Sequence, residues 1–548
     1  MMKMTVEKRR RVILLMIVAA AICAAIVFWV FYQNGNRQKS PIVYLTENNE
    51  LVYRKHPWAD AVLLSSFGSS ADLNYYNNDE DCVFYSSDGQ TLYFFDLSKG
   101  LYDDGGAPLC CVDTALLNEG QFTPRMIDEY AVMSGGEGSY VMEPLDGGGL
   151  IYMGVDYAQE CYTLKYFDGD SSSVLVGGQE IYVVFNSDKT LANLCVYHDT
   201  GSVDNWSWYR MTINGYPIVE YVCDGTIYPW RYMDSERDFQ AMVENDIIIC
   251  IRDYGYEDGY YTVDLYVHGQ WRENLIEKLP FDSKGPFGIE VGAGVSFYVI
   301  STADLESPYL NYQEDFDSLQ WSFFRYEHGW LHEVNEALRF QMNLPDNALL
   351  CDSIHYINGE VLFRFNPELI SGHPLGWISF DETGEIAEIN DDVTGYWGSV
   401  SIPLTYRDGG SILLYGGVHD ERGYNEDKYC LYAYSDGKLK KLIDGPYFEY
   451  ELYEQNGEAC FIAYTDQAVY SISASEMDIN TIEDTFAATE MSERVWKAIP
   501  CSNHDVLCIL SSGTLSYWNG KTSRVICDGV RFVWSDCRRI GYNNPRIY

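Results

Sequence analysis

The sequence predicts an all-β protein: a β-propeller of about seven to eight four-stranded blades, preceded by one N-terminal transmembrane helix. Three observations carry this expectation. From residue 41 onward, short apolar runs rich in Tyr, Val, Ile and Phe alternate with Asp-Gly, Asn-Gly and Gly-Gly turns, which is the hairpin signal. A unit of strand, turn, strand, Gly-containing turn and strand recurs roughly every 40–60 residues. Near the start, an uncharged apolar run of 21 residues occupies positions 12–32.

The first element is that run, VILLMIVAAAICAAIVFWVFY. A helix of about 20 residues spans the hydrocarbon core of a bilayer. Lys8, Arg9, Arg10 and Arg11 precede it, and Trp29 and Tyr32 lie at its far end. Basic flanks stay inside, and aromatic rings favour the interface. The expected order is a cytoplasmic basic tail (residues 1–11), a transmembrane helix (12–32), a linker (33–40) and an extracytoplasmic domain (41–548). A cleaved signal peptide is the rival reading. It needs a shorter apolar core and a small-residue cleavage site, and Tyr32-Gln33-Asn34-Gly35 offers none.

Charge is divided along the chain. There are 81 Asp and Glu against 37 Lys and Arg, a net of −44. Residues 1–39 hold seven basic side chains and one acidic, a net of +6, so the remainder carries −50. Nucleic-acid binding needs a basic footprint and is excluded as the expected role. A composition 47% hydrophobic and 15% aromatic also excludes a disordered chain.

The clearest repeat copy is CVFYSSDGQTLYFFDLSK at 82–99. Further copies occupy 162–177, 181–201, 247–275, 295–335, 354–390, 412–434, 430–445 and 507–529. Runs such as Ile247-Ile248-Ile249-Cys250-Ile251 are apolar throughout, as expected of strands buried on both faces. Stacked sandwiches would give alternating strands as well. Only residues 475–499 look helical, in the tail SERVWKAI before Pro500 or as an excursion between blades.

Ser86-Ser87-Asp88-Gly89-Gln90-Thr91-Leu92-Tyr93 resembles the Ser-x-Asp-Gly signature of TolB-like and WD40-like propeller repeats. Asn186-Ser187-Asp188-Lys189-Thr190-Leu191 is similar to it but lacks the Gly, and Ser435-Asp436-Gly437-Lys438 forms a related turn. The wider pattern covers most of residues 42–534. In architecture the chain also resembles bacterial membrane-anchored proteins with an external propeller. The resemblance implies a fold, and propellers host enzymes, sensors and scaffolds alike.

No constellation nominates an active site, so no catalytic residue, metal ligand or cofactor is assigned and the ligand-binding residues are left unknown. Of 15 cysteines, Cys23 falls in the apolar run. Cys250, Cys430, Cys460 and Cys508 sit inside strand-like runs, where a thiol acts as a small apolar group, and no C-x-x-C occurs. Mostly reduced, buried thiols are expected. Cys110-Cys111 and Cys527/Cys537 are the strongest candidates for exceptions. His328 and His332 have the i, i+4 spacing of a helical metal pair, but their surroundings read as strand, turn, strand. There is no G-x-S-x-G, no phosphate loop at Gly147-Gly148-Gly149 or Gly292-Ala293-Gly294, and no calcium loop at Asp168-Gly169-Asp170 or at 77–81. A weak calcium site in an acidic turn is left open. With 81 acids, no carboxylate pair for glycoside hydrolysis can be chosen.

Trp206 and Trp208 share one face of a strand, and Tyr396-Trp397 lies in a loop; each offers a flat surface for a sugar or peptide, or inter-blade packing. The expected role is a non-catalytic binding or scaffold module for a protein, peptide or glycan. A cell-surface carbohydrate-active enzyme and an envelope sensor or assembly factor are the alternatives.

Overall fold

The computed structural model describes residues 41–66, 83–132, 141–225 and 489–539, short turns aside; between 243 and 473 it describes mainly the strands, with side chains at few positions. The expected tail, transmembrane helix and linker (1–40) lie outside the described residues. Among the described residues no helix is long and apolar enough to cross a membrane.

The described chain is built of antiparallel strands that follow one another as meanders. The unit Glu180–Phe185, Leu191–Tyr197, Trp206–Asn214 and Tyr216–Gly225 shows the plan, each strand pairing with the next. Among the described residues there are nine sheets. One is eight-stranded and comprises two such units, running from Val83–Tyr85 to Arg125–Val132 and from Met142–Pro144 to Ser172–Gly178. They are joined through the single pair Ala131↔Gly154. The number of units therefore exceeds the seven or eight expected. Units near the short end of the assumed spacing, such as the one from Glu180 to Gly225, let more of them fit.

Both faces of a unit are buried, and the strand period of two divides its side chains between neighbours. In Ile42–Thr46, Val43 and Leu45 join a cluster with Leu92, Phe94 and Leu109 of the following unit. Ile42 and Tyr44 join Leu507, Ile509 and Leu515 of the last unit. In Asp505–Leu510 the same split recurs. Leu507 and Ile509 face the first unit, while Val506, Cys508 and Leu510 pack with Ile462 and Val469 of the preceding one. Uninterrupted apolar strands are the consequence.

The ends of the domain meet in one sheet. Val530–Ser535 pairs with Ile42–Thr46, and Glu50–Arg54 and Val62–Ser66 complete the four strands. Serial four-stranded meanders, stacked face to face and closed by a shared first-and-last sheet, define the propeller architecture.

The turns explain the repeat signature. At Ser86–Thr91, Ser86 Oγ donates to Asp88 Oδ1 (2.6 Å) and accepts from the Thr91 amide (2.9 Å). Asp88 also accepts the Gln90 amide at 3.0 Å. These donors hold its carboxyl below the usual range, the Ser86 hydroxyl first. Gly89 takes φ +67°, the left-handed region that Gly enters without a Cβ penalty. The copy without Gly folds the same way, with Lys189 at φ 55° and Asn186 Oδ1 accepting from Thr190 and Leu191.

Two helical assignments change. The tail read as a short helix or an excursion between blades is the strand Val495–Cys501, paired with Asp505–Leu510. Burial of Val495, Ala498 and Ile499 against neighbouring strands overrides local preference. Pro500 is tolerated because, among the described residues, this strand bonds on one side only. A short helix, Thr114–Asn118, was not expected. Asp113 caps it, accepting from the Ala115 amide at 2.7 Å, and Gly120 ends it at φ +78°.

Candidate functional site

Most polar side chains that the fold gathers are spent on one another. Between Arg125–Val132 and Leu150–Asp156, whose ladder holds one pair only, Asp128 accepts from Lys165 Nζ (2.7 Å) and from the Tyr152 hydroxyl (2.9 Å). The Tyr152 oxygen accepts from Ser172 Oγ at 2.9 Å, and burial, then the Asp128 charge, pushes its phenol upward. Lys165 reaches Asp128 by crossing Gly154, where a Cβ would stand 2.8 Å from its Cε and Nζ. The Arg210 guanidinium grips Asp246 of the following unit through Nε and Nη2, at 2.6 and 3.0 Å. Asn193 Nδ2 donates to the Ile247 carbonyl at 3.0 Å. These are fasteners between strands and units.

The residues singled out in the sequence are distributed as follows. Trp206 and Trp208 are 8% and 3% exposed, and Trp206 packs on Tyr197 and Tyr182; neither can receive a ligand ring. Tyr396 and Trp397 lie outside the described residues, as does His328. His332 is in the strand Trp330–Glu333, which pairs as a hairpin with Leu319–Glu327, the expected strand–turn–strand. Asp168-Gly169-Asp170 is a turn in which Asp168 accepts the Asp170 and Ser171 amides, both at 2.8 Å. Arg125 donates to the Gly169 carbonyl and stands 3.8 Å from Asp170, so a guanidinium already serves the turn that was tested for calcium. Residues 77–81 lie outside the described residues. Nine described cysteines form no disulfide among the described residues. Cys110 and Cys111 point to opposite faces of one strand and cannot pair with each other.

One surface is left with chemistry facing outward. Tyr216–Gly225 is the last strand of its sheet and, among the described residues, pairs on one side only. Tyr216, Ile218 and Tyr221 are 51%, 56% and 56% exposed, and Val174 of the neighbouring strand Ser172–Gly178 is 60% exposed. The tyrosines are positioned from behind. The Tyr166 hydroxyl donates to the Gly215 carbonyl (3.1 Å), and its ring meets Tyr216 edge-on at 5.1 Å. Tyr216 and Ser173 share a hydroxyl hydrogen bond of 3.2 Å, and Tyr221 meets Tyr209 edge-on at 5.8 Å. Glu220 and Asp224 lie exposed on the same strand. Desolvation, then the Asp224 carboxylate, pushes the Tyr221 phenol up to about 12, so it remains a neutral donor at physiological pH. No separate signal marks this strand in the sequence, because YPIVEYV reads like any inner strand.

No family model matches the chain, and no curated protein matches it. Among solved structures it is similar to the Pyrococcus horikoshii acylaminoacyl peptidase, with 13% identity and a TM-score of 0.28 over 68% of this chain and 56% of that one. The β-propeller domain of the Trilobed protease from Pyrococcus furiosus gives 11% identity and a TM-score of 0.30, over 82% and 94%. Porphyromonas gingivalis dipeptidyl peptidase 4 gives 13% and 0.37, over 83% and 60%. The chain thus spans little more than half the length of the first of these peptidases. Superpositions this loose carry no argument about activity. The propeller assignment rests on strand order, closure and the buried faces.

Proposed function

We propose that the protein is a membrane-anchored, extracytoplasmic β-propeller acting as a non-catalytic binding or scaffold module for a protein or peptide. The observation that carries this reading is the exposed tyrosine edge, Tyr216–Gly225. An edge strand presents unpaired backbone groups, and an extended peptide can add to it while its side chains meet Tyr216, Ile218 and Tyr221. Glu220, Asp224 and the acidic domain around them favour a basic peptide. The anchor is the apolar run 12–32, and the basic residues before it set the N-terminus in the cytoplasm. The carbohydrate-active alternative has no acid pair with facing tryptophans among the described residues to support it.

A thermal-shift screen of the full chain in detergent tests this, with calcium, glycans, wall fragments and basic peptides as ligands. Binding to the native state raises the melting temperature by mass action. The expected outcome is a saturable rise with basic peptides, lost in the Ile218→Lys/Tyr221→Lys variant. A rise with glycans that survives in that variant overturns the peptide reading and calls for a hydrolysis assay.

A further inference from the structure

The Asn-Gly turns that announce hairpins also carry chemistry. An Asn followed by Gly is open to attack by its own backbone, because Gly has no Cβ to hinder the approach of its amide nitrogen. Five such pairs occur in the sequence. Asn34-Gly35, Asn358-Gly359 and Asn456-Gly457 lie outside the described residues, as does Gly520 of the pair Asn519-Gly520.

Asn214-Gly215 makes the turn between Trp206–Asn214 and Tyr216–Gly225, at the head of the exposed tyrosine edge. Both residues are exposed. Among the described residues no hydrogen bond holds the Asn214 side-chain amide, and none occupies the Gly215 N–H. Gly215 stands at φ +79° with nothing within 4 Å of the place a Cβ would take. The attacking nitrogen and the amide it would attack are therefore adjacent, open to water and unengaged. Asn519 is the contrast. It is exposed too, but its Oδ1 accepts from the Thr522 amide at 2.9 Å and from the Thr522 hydroxyl at 3.2 Å. A side chain tied across its turn must break those bonds before it can fold back onto its own main chain.

We infer that Asn214 is a deamidation site whose conversion switches off the tyrosine edge as the protein ages. The Gly215 amide gives its proton to water, and its nitrogen attacks Asn214 Cγ. The new C–N bond closes a five-membered succinimide, and the side-chain nitrogen takes up a proton and leaves as ammonia. Water then opens the ring. Attack at Cγ breaks the new bond and leaves aspartate. Attack at the backbone carbonyl carbon breaks the original peptide bond and leaves isoaspartate, in which the main chain runs on through Cβ and Cγ.

The effect on binding rests on the reading of Tyr216–Gly225 as a peptide-binding edge. Isoaspartate lengthens the main chain by one carbon at a turn where Asn214 stands opposite Tyr216 and where the Tyr166 hydroxyl holds the Gly215 carbonyl at 3.1 Å. The extra carbon shifts Tyr216 off the Tyr166 ring or breaks the pairing of Ile213 with Pro217. Aspartate leaves the main chain as it is. It adds one carboxylate to an edge that already exposes Glu220 and Asp224, which favours a basic peptide.

The test is ageing of the full chain in detergent at mildly alkaline pH, with digested samples followed by mass and isoaspartate counted by enzymatic methyl esterification. In the native chain the Asn214 peptide is expected to convert at least tenfold faster than the Asn519 peptide. Unfolded in urea, the two are expected to convert at similar rates. Equal rates in the native chain, or an Asn214 amide that outlasts that of Asn519, overturns the site. The aged chain is expected to lose at least half of its melting-temperature rise with basic peptides, in step with its isoaspartate content. Fresh Asn214→Asp is expected to keep the rise in full. Aged Asn214→Ser, which cannot close the ring but carries the conversions at every other site, is expected to keep it as well. A rise indifferent to isoaspartate, or an equal loss in either variant, overturns the switch. Conversion at Asn214 in a chain that never responds to basic peptides sinks the binding edge and the switch but leaves the site standing. A chain that responds and keeps its Asn214 amide sinks the site alone.

Discussion

The thiols show what burial does to single residues. Cys508 is fully buried and Cys110 nearly so, and desolvation pushes both up to about 12 from an ordinary value of 9.0. Below about pH 9 each is protonated whether the chain is folded or not, so its contribution to stability is complete there. Above that the unfolded chain ionises first. Stability therefore falls by about 1.4 kcal/mol per pH unit for each thiol until the folded values are reached. The double variant Cys110→Ala/Cys508→Ala, compared with the native chain by melting between pH 9 and 12, is expected to decline less steeply. A parallel decline would show that these thiols are not protected. Burial also decided which sequence candidates survived. Strand periodicity aligns Trp206 and Trp208 but leaves a stacking surface and inter-blade packing both open, because alignment is blind to which face meets a neighbour; burial selects packing. That Tyr216, Ile218 and Tyr221 face outward depends on their strand being last in its sheet, a tertiary fact with no local signature.

Turns and strands were the legible level, because their determinants are local. The Ser86–Thr91 turn is written in its own residues: a hydroxyl that bonds forward, a carboxylate that receives amides, and a residue free to take positive φ. Asn186–Leu191 meets the same needs with an amide and a lysine, and so the worn motif still marked a hairpin. The Asp113…Gly120 helix was legible in the same way, by cap and stop, but five residues gave no periodicity to draw attention to it. The strand at 495–501 was misread because its partner, not its composition, determines its conformation. Gly89→Ala tests the turn. A Cβ there would meet nothing within 4 Å, so no clash can contribute. The left-handed backbone alone is expected to cost roughly 1 kcal/mol. Denaturant midpoints measure it, and an unchanged midpoint would mean that the turn relaxes without loss.

At the scale of the molecule, closure is what the sequence could not disclose. Val530–Ser535 is one more apolar strand by composition, and its partner Ile42–Thr46 lies at the opposite end of the domain. The pairing joins the first unit to the last. Without it, Ile42 and Tyr44 would lose the strand beside them, and the contact between the first and last units would lose Val530 and Val533. Burying side chains of this size contributes about 1.5–3 kcal/mol each. Val530, Val533 and Trp534 together thus rival the 5–15 kcal/mol by which whole domains are stable. A chain ending at residue 529 is therefore expected to lose its cooperative melt. A synthetic peptide of residues 528–539 added in excess is expected to restore it, because the cleft it enters is preformed by strands that pair locally. Val533→Asp, which leaves the chain intact but places a carboxylate against Tyr44, is expected to lower the melting temperature in the same direction. If the truncated chain melts as the native one does, the first and last units are held together by something other than this strand. The closing sheet would then be a contact of convenience.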